Sequence, residues 1–177
     1  SIFNCCKINN CKDAISRNLE ETTPMMPEIV AGVLSQVKAK TAILDSEALA
    51  YNPDSEEFLP FQETTKRRRK YDIEEMAKKL PLKSFVFDIM YKDGENLIKT
   101  PFLERRKILE QVISKNNEAL VLTPQIITDD PKKMRQFHEE QIKNGLEGAM
   151  VKKINAPYDP GRRGFTVSFR YFQFKYN

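Results

Sequence analysis

The run Phe85–Tyr91 constrains the fold more than any other part of the sequence, because it is apolar at every position except Asp88. A strand with apolar side chains on both faces must be covered on both faces, so the run predicts a buried central strand. Side chains alternate along a regular strand, and Phe87 and Asp88 are therefore expected on opposite faces. Because a buried acid costs free energy unless it is paired, we interpret Asp88 as a structural or supporting residue.

The other predicted elements are helices and strands that follow one another without a regular alternation. Helices are predicted over Pro27–Lys38, from Asp72 to Leu80, from Pro101 to about Ile113 and from Pro131 to near Gly145. Strands are predicted over Ala42–Tyr51, Leu120–Ile127, Glu147–Ile154 and a last stretch after Gly164. Glu75 is placed for a capping box with Asp72. This mixed order favours an α+β fold over a doubly wound one.

Two acids interrupt an apolar face of the strand predicted over Ala42–Tyr51. Asp45 and Glu47 share that face with Leu49, because every second side chain of an extended strand points the same way. An acid in such a place is either a functional carboxylate or half of a buried ion pair. The residues alone leave both readings of Glu47 open.

The residue types limit the chemistry that this chain can perform. It has one histidine, His138, and its three cysteines, Cys5, Cys6 and Cys11, fall within seven residues. A multi-histidine metal site, a histidine relay and a disulfide framework are therefore poor expectations, and we interpret the thiols as reduced in an intracellular, cytoplasmic protein. No stretch approaches the ~20 apolar residues of a membrane span. Neither G-x-G-x-x-G nor G-x-x-x-x-G-K-[ST] occurs, so a nucleotide would have to be held by side chains.

Positive charge is concentrated in two places, although the net charge is only +4. Lys66–Lys70 is an unbroken run of five basic residues, and residues 150–177 carry six basic residues against one acid, Asp159. Clusters of this kind suit a polyanion such as nucleic acid or nucleotide phosphate. A solvated basic turn is the alternative for either cluster taken alone.

Four segments in a fixed order carry a resemblance to a known family. They are Ser16–Glu20, Ile43–Ala48, Phe87–Gly94 and Glu147–Lys152. Together they resemble the nucleotidyltransferase motifs of ATP-dependent DNA ligases, especially those of the archaeal and related bacterial type. Each motif is weak by itself, and the resemblance depends on their joint order and spacing over nearly the whole chain.

The resemblance implies an ATP-grasp-like nucleotidyltransferase (adenylation) domain of largely antiparallel sheets flanked by helices. It implies ATP as the AMP donor, Mg²⁺ as cofactor, and nicked double-stranded DNA as the substrate, sealed through enzyme-AMP and DNA-adenylate intermediates. Residues 1–165 would form a partial adenylation domain, and residues 166–177 a degenerate last motif or the start of a linker to an OB domain. We expect a monomer without a membrane partner, whose N-terminal DNA-binding and C-terminal OB domains lie outside this chain.

The resemblance also implies roles for residues in the first three motifs. Arg17 corresponds to an arginine that contacts the nucleotide. Glu47 corresponds to a carboxylate near the ribose and a metal ion. Phe87 corresponds to the aromatic residue that stacks on adenine, although the sequence pattern alone would make it a core residue.

The remaining implied roles belong to the C-terminal part of the chain. Glu147 corresponds to a catalytic carboxylate that binds the metal ion, and Lys152 to a catalytic lysine that contacts phosphate. Arg163 corresponds to an arginine placed against the nucleotide, with Arg162 as its register-shifted competitor. In the favoured register, Ser168 and Arg170 occupy the two positions at which the family's last motif has nucleotide-contacting lysines, and Lys175 is the alternative if the register is shifted.

The nucleophile of the family is missing from this sequence. In the family it is the lysine of a K-x-D-G motif upstream of the position matched by Arg17, and that place falls before Ser1. No K-x-D-G occurs in the chain, and neither Lys7 nor Lys12 begins one. The chain is therefore expected to be a fragment that cannot self-adenylylate. An RNA ligase or capping-type nucleotidyltransferase, and a catalytically dead module that binds nucleic acid or nucleotide, are the alternatives.

Overall fold

The computed structural model describes residues 2–8, 11–16, 19–55, 57–59, 61–67, 72–114, 118–144, 146, 149–159 and 172–173, with the backbone alone for 2–8, 11–12, 61–62 and 172–173. The strands are β1 (Ile2–Ile8), β2 (Cys11–Ser16), β3 (Thr41–Asn52), β4 (Glu57–Phe58), β5 (Leu82–Lys92), β6 (Glu95–Asn96), β7 (Leu120–Leu122), β8 (Met150–Val151) and β9 (Phe172–Gln173). The helices are α1 (Pro27–Gln36), α2 (Phe61–Lys66), α3 (Ile73–Lys79), α4 (Phe102–Val112) and α5 (Pro131–Lys143).

Most of the strands belong to one mixed sheet. Its order is β2-β1-β3-β5-β6, with β4 paired to β3 and β7 paired to β5. β7 runs parallel to β5, and the other pairs in this sheet are antiparallel. β8 and β9 form a separate antiparallel pair. The predicted central strand is confirmed, because β5 has neighbours on both edges and Val86 and Ile89 within it are 0% exposed.

Helices cover both faces of the central strands. On one face, Val33 of α1 and Leu109 of α4 belong to a core cluster that includes alternate residues of β3. On the other face, Phe137 of α5 packs in a second cluster with Leu49 of β3 and Phe85 of β5. Burial of both faces explains why β5 is a continuous apolar run. The largely antiparallel sheet, flanked by helices, confirms the α+β prediction.

Three details of the predicted elements are wrong. Asp72 has a left-handed backbone (φ 58°) and makes no side-chain cap bond, so no capping box opens α3. β7 ends at Leu122 instead of Ile127, because Pro124 has no N–H to donate to a ladder. Within the described residues, β8 covers only Met150–Val151 of the strand predicted from Glu147 to Ile154.

β5 and β6 form a hairpin that turns between Lys92 and Glu95. Asp93 and Gly94 both have positive φ angles, 47° and 99°, as the tight turns of hairpins require. The Asp93 carboxylate accepts a hydrogen bond from the Thr41 N–H at 2.9 Å. That bond is the main reason why the pKa of Asp93 lies below its usual value of 3.8. The turn is thereby tied to the start of β3.

Gly32 of α1 lies where no side chain fits. A Cβ atom at this position would be 2.5 Å from the Cβ of Ala119. Overpacking costs about 1–3 kcal/mol, and alanine returns about 1 kcal/mol of helix propensity. We therefore expect Gly32→Ala to lower the free energy of unfolding by about 1 kcal/mol in urea denaturation. Adding Ala119→Gly should recover the loss, and a double variant as unstable as the single one would contradict a steric cause.

Candidate functional site

A bulge in β5 changes the direction of the side chains at its centre. Asp45 of β3 pairs with Asp88, whereas the next residue, Ser46, pairs with Val86. Phe87 is therefore an extra residue in β5 relative to β3. A bulge of this kind breaks the alternation of faces that a regular strand has.

Phe87 and Asp88 both approach Lys152, which follows β8. The Lys152 Nζ lies 3.4 Å from Asp88 Oδ2 and 5.7 Å from the centre of the Phe87 ring. It also lies 4.6 Å from the centre of the Phe102 ring. The prediction that Phe87 and Asp88 lie on opposite faces is therefore wrong, and the bulge is the physical reason. Two residues from separate motifs, Phe87 and Lys152, meet in one place.

Asp88 forms a buried ion pair with Arg105 of α4. Nε and Nη2 of Arg105 donate to Oδ1 and Oδ2 of Asp88 at 2.8 and 2.9 Å, and each residue is 1% exposed. This two-pronged arrangement matches the fork of the guanidinium to the carboxylate. The interpretation of Asp88 as a structural or supporting residue is confirmed by this pair. Its partner Arg105 was not predicted from the sequence.

Arg105 also fixes the segment that carries Lys152. Its Nη1 donates to the carbonyl oxygens of Thr100 and Ala156, the latter at 3.2 Å. The first two amides of α4 donate to the same segment, Phe102 N–H to Ala156 O and Leu103 N–H to Ile154 O, both at 2.9 Å. These amides have no partner within their own helix. The start of α4 therefore holds the backbone two to four residues after Lys152.

A second tie joins this segment to β3. The Tyr158 hydroxyl donates to Asp45 Oδ2 at 2.9 Å, and the Tyr158 N–H donates to the Ile98 carbonyl at 2.8 Å. Asp45 is 0% exposed. Of the two acids predicted on one face of β3, Asp45 thus bonds Tyr158, for which no role was predicted from the sequence.

Glu47 is half-buried and lies two residues beyond Asp45 on β3, paired in register with Phe85. Alternation puts it on the same face as Asp45. Among the described residues no group of three or more His, Cys, Asp or Glu side chains could hold a metal ion. A carboxylate such as Glu47 suits Mg²⁺, which takes one or two carboxylates and completes its shell with phosphate oxygens and water.

The basic run Lys66–Lys70 is partly used inside the fold. Arg67 is 3% exposed, and its Nη2 bonds both carboxylate oxygens of Glu28, at 2.7 and 2.9 Å. Lys66 pairs with Glu63 at 2.6 Å. The interpretation of the run as a polyanion-binding cluster is therefore wrong for Arg67, whose charge joins α1 to the segment after α2. Residues 68–70 lie outside the described part of the chain.

Several predicted site residues lie outside the described residues. They are Arg17, Glu147, Arg162, Arg163, Ser168 and Arg170. Their roles remain predictions from the resemblance. In the described part of the chain, no helix is long and apolar enough to cross a membrane.

The fold is that of ligase nucleotidyltransferase domains. A mycobacterial DNA ligase D complexed with ATP and MES superposes with a TM-score of 0.66 at 21% identity, over 99% of this chain and 52% of that one. The ligase domain of M. tuberculosis LigD superposes with a TM-score of 0.67 at 23% identity, over 92% of this chain and 48% of that one.

The chain belongs to the ATP-dependent DNA ligase domain family, whose sequence profile matches residues 5–167. It is 46% identical over 159 residues to a probable DNA ligase of Dictyoglomus turgidum, covering 90% of this chain and 27% of that protein. It is 45% identical over 157 residues to a DNA ligase of Nanoarchaeum equitans, covering 88% and 28%. The chain thus spans about a quarter of the length of these relatives. The resemblance predicted from the four motifs is confirmed.

Proposed function

We propose that this chain is the central part of the adenylation domain of an ATP-dependent DNA ligase, which seals nicks in double-stranded DNA through enzyme-AMP and DNA-adenylate intermediates. The family and the identity to named DNA ligases support this reaction class. One observation supports a nucleotide site at Phe87 and Lys152: the Lys152 ammonium lies 5.7 Å from the centre of the Phe87 ring. An adenine nucleotide requires an apolar platform and a cation near each other, and these two residues supply them.

In this proposal Phe87 stacks on adenine and Lys152 contacts a phosphate of ATP. Phe87 is 5% exposed, so adenine reaches the ring only after a neighbouring group gives way. In this proposal the Lys152 ammonium stays beside the ring, with its 3.4 Å bond to Asp88 Oδ2. A phosphate oxygen would give this ammonium a closer, charged acceptor. Arg17, Arg163, Ser168 and Arg170 would add further nucleotide contacts.

Glu47 and Glu147 are the residues that would hold Mg²⁺. The half-buried position of Glu47 on β3 fits this role, since a carboxylate that binds Mg²⁺ must remain accessible to the ion and to phosphate. A bound Mg²⁺ ion would supply charge neutralisation at the phosphates. Lys152 would add a second positive charge at the same phosphates. Such charges matter because phosphoryl transfer is catalysed mainly by positioning and electrostatic stabilisation.

Self-adenylylation provides the direct test of this chain's own activity. Because K-x-D-G does not occur among its 177 residues, we expect no adduct after incubation with radiolabelled ATP and Mg²⁺. The control is a family member that contains K-x-D-G, incubated in parallel, which should form a lysine-linked AMP adduct, a phosphoramidate that is stable to alkali and labile to acid. An adduct on this chain would contradict the proposed inactivity, and mass spectrometry would identify the lysine that carries it.

The substrate and the surroundings of the domain are also part of the proposal. We expect a monomeric, intracellular protein in which a DNA-binding domain and an OB domain flank residues 1–165. Within the larger protein, transfer of AMP to a nicked DNA duplex should exceed transfer to a nicked RNA duplex. Preferential transfer to RNA would instead support the RNA ligase or capping branch of the superfamily.

A further inference from the structure

Two cations share the Asp88 carboxylate, and they are held very differently. Arg105 bonds both carboxylate oxygens at 2.8 and 2.9 Å and also bonds the carbonyls of Thr100 and Ala156. Lys152 bonds one of those oxygens at 3.4 Å, with a side chain that is 17% exposed. Arg105 is therefore held by several close bonds, whereas Lys152 makes a longer bond to the carboxylate and lies 4.6 Å from the centre of the Phe102 ring.

The same guanidinium fixes the carboxylate and the backbone that carries the lysine. Arg105 reaches Asp88 in β5 and the Ala156 carbonyl four residues after Lys152. The distance between the lysine's anchoring carboxylate and its own backbone is thereby set by one rigid, planar group. A lysine stem has four freely rotating carbons, so an ammonium without such an anchor samples many positions.

We propose that Asp88 is a positioning residue for Lys152, and that Arg105 holds Asp88 in the orientation this requires. Resting on the proposed function, in which Lys152 contacts ATP phosphate, Asp88 presents the ammonium beside the Phe87 ring before the nucleotide arrives. The ammonium keeps its bond to Asp88 and donates another of its three N–H groups to a phosphate oxygen. Preorganisation of this kind raises affinity because less side-chain freedom is lost on binding.

The direction in which Asp88→Asn changes ATP affinity distinguishes a positioning carboxylate from one that merely lies nearby. Asp88→Asn removes the negative charge while keeping the shape of the side chain. A carboxylate that only lies near the phosphates repels them, so its removal would tighten ATP binding. A positioning carboxylate has the opposite effect, and we expect ATP affinity to fall about tenfold, at the low end of what loss of a supporting partner costs a ligand-binding group.

The measurement is titration calorimetry of the full chain with ATP and, separately, with adenosine. Adenosine has no phosphate, so its affinity should not change in Asp88→Asn. Unchanged or tighter ATP binding in a folded Asp88→Asn variant would overturn the proposal. Equal losses for ATP and adenosine would also overturn it, because they indicate a general structural defect.

Arg105→Lys tests the supporting half of the proposal and has a matched control. It keeps the charge and loses the fork, so ATP affinity should fall while adenosine affinity is kept. Arg106→Lys is the control: Arg106 is also buried on α4, but it bonds Glu110 and Thr123. Arg106→Lys should lose stability without a change in the ratio of ATP affinity to adenosine affinity. An equal change of that ratio in Arg105→Lys and Arg106→Lys would contradict the role of Arg105.

If Asp88→Asn does not fold, because it leaves Arg105 buried without its counter-charge, the double variant Asp88→Asn/Arg105→Gln replaces it. This neutral pair should fold and still show the selective loss of ATP affinity. A double variant that binds ATP as the wild type does would overturn the proposal.

Lys152→Ala distinguishes failure of this inference from failure of the proposed function. If Lys152→Ala abolishes the difference in affinity between ATP and adenosine and Asp88→Asn leaves that difference unchanged, only the positioning role of Asp88 is wrong. If Lys152→Ala has no effect, or the wild-type chain binds no ATP, the proposed nucleotide site is wrong and the positioning role falls with it.

Discussion

Replacing Arg105 with methionine is expected to lower the free energy of unfolding by about 3–5 kcal/mol, since it removes the close, two-pronged partner of a buried carboxylate and leaves Asp88 with the 3.4 Å bond to Lys152. Arg105 and Asp88 are each 1% exposed. The change also deprives the carbonyls of Thr100 and Ala156 of a donor. Guanidinium chloride denaturation followed by circular dichroism measures the loss.

Two further variants identify the cause of that loss. Lys107→Met changes an exposed residue on the same helix and should alter stability by no more than about 0.5 kcal/mol. Arg105→Met/Asp88→Leu removes both charges and should recover a large part of the loss, because a hydrophobic pair often replaces a buried ion pair at little cost. An Arg105→Met variant as stable as Lys107→Met would contradict the stabilising role of the Arg105–Asp88 pair.

Replacing Phe87 with alanine is expected to weaken the binding of ATP and of adenosine alike, by about 10- to 100-fold. Stacking of a base on an aromatic ring is worth about 1–3 kcal/mol, and about 1.4 kcal/mol corresponds to a factor of ten. The equal effect on both ligands contrasts with the selective loss expected for Asp88→Asn. Titration calorimetry at a temperature well below the unfolding transition of each variant measures both affinities.

The controls for Phe87 separate stacking from packing. Phe85→Ala removes a ring from the same strand that packs edge-on against Phe58, with ring centres 4.7 Å apart. It should cost about 3–5 kcal/mol of stability and leave nucleotide affinity unchanged in the folded protein. Phe87→Tyr should keep affinity, and Phe87→Leu should lose most of it. Full affinity in Phe87→Leu would show that the ring packs but does not stack.

The sequence predicted the main elements because their signals are local. α1, β3, β5, α4 and α5 are observed close to their predicted positions. Their periodicity, turn residues and length fix each of them without reference to distant parts of the chain. β7 and β8 were predicted too long, since a strand's extent also depends on where its partner and its prolines lie.

The candidate site was predicted only in part. Phe87 and Lys152 carried recognisable motif signals, and the structure places them together. Arg105 and Tyr158 lie in segments that also resemble the family, but no role was predicted for either, although a buried acid at Asp88 or Asp45 signals that some partner must exist. Which residue is the partner is a long-range fact: Asp45 and Tyr158 lie 113 positions apart in the chain.

By itself, the sequence determined the family, the α+β class and the buried central strand, because the order of the motifs and the hydrophobic periodicity are properties of the sequence alone. Only the tertiary structure decided that Phe87 and Asp88 face the same lysine. A bulge is set by the pairing of β5 with β3, where two residues of one strand oppose one residue of the other. The sequence of one strand does not contain that register. Alternation alone therefore placed the Asp88 carboxylate on the face opposite Phe87.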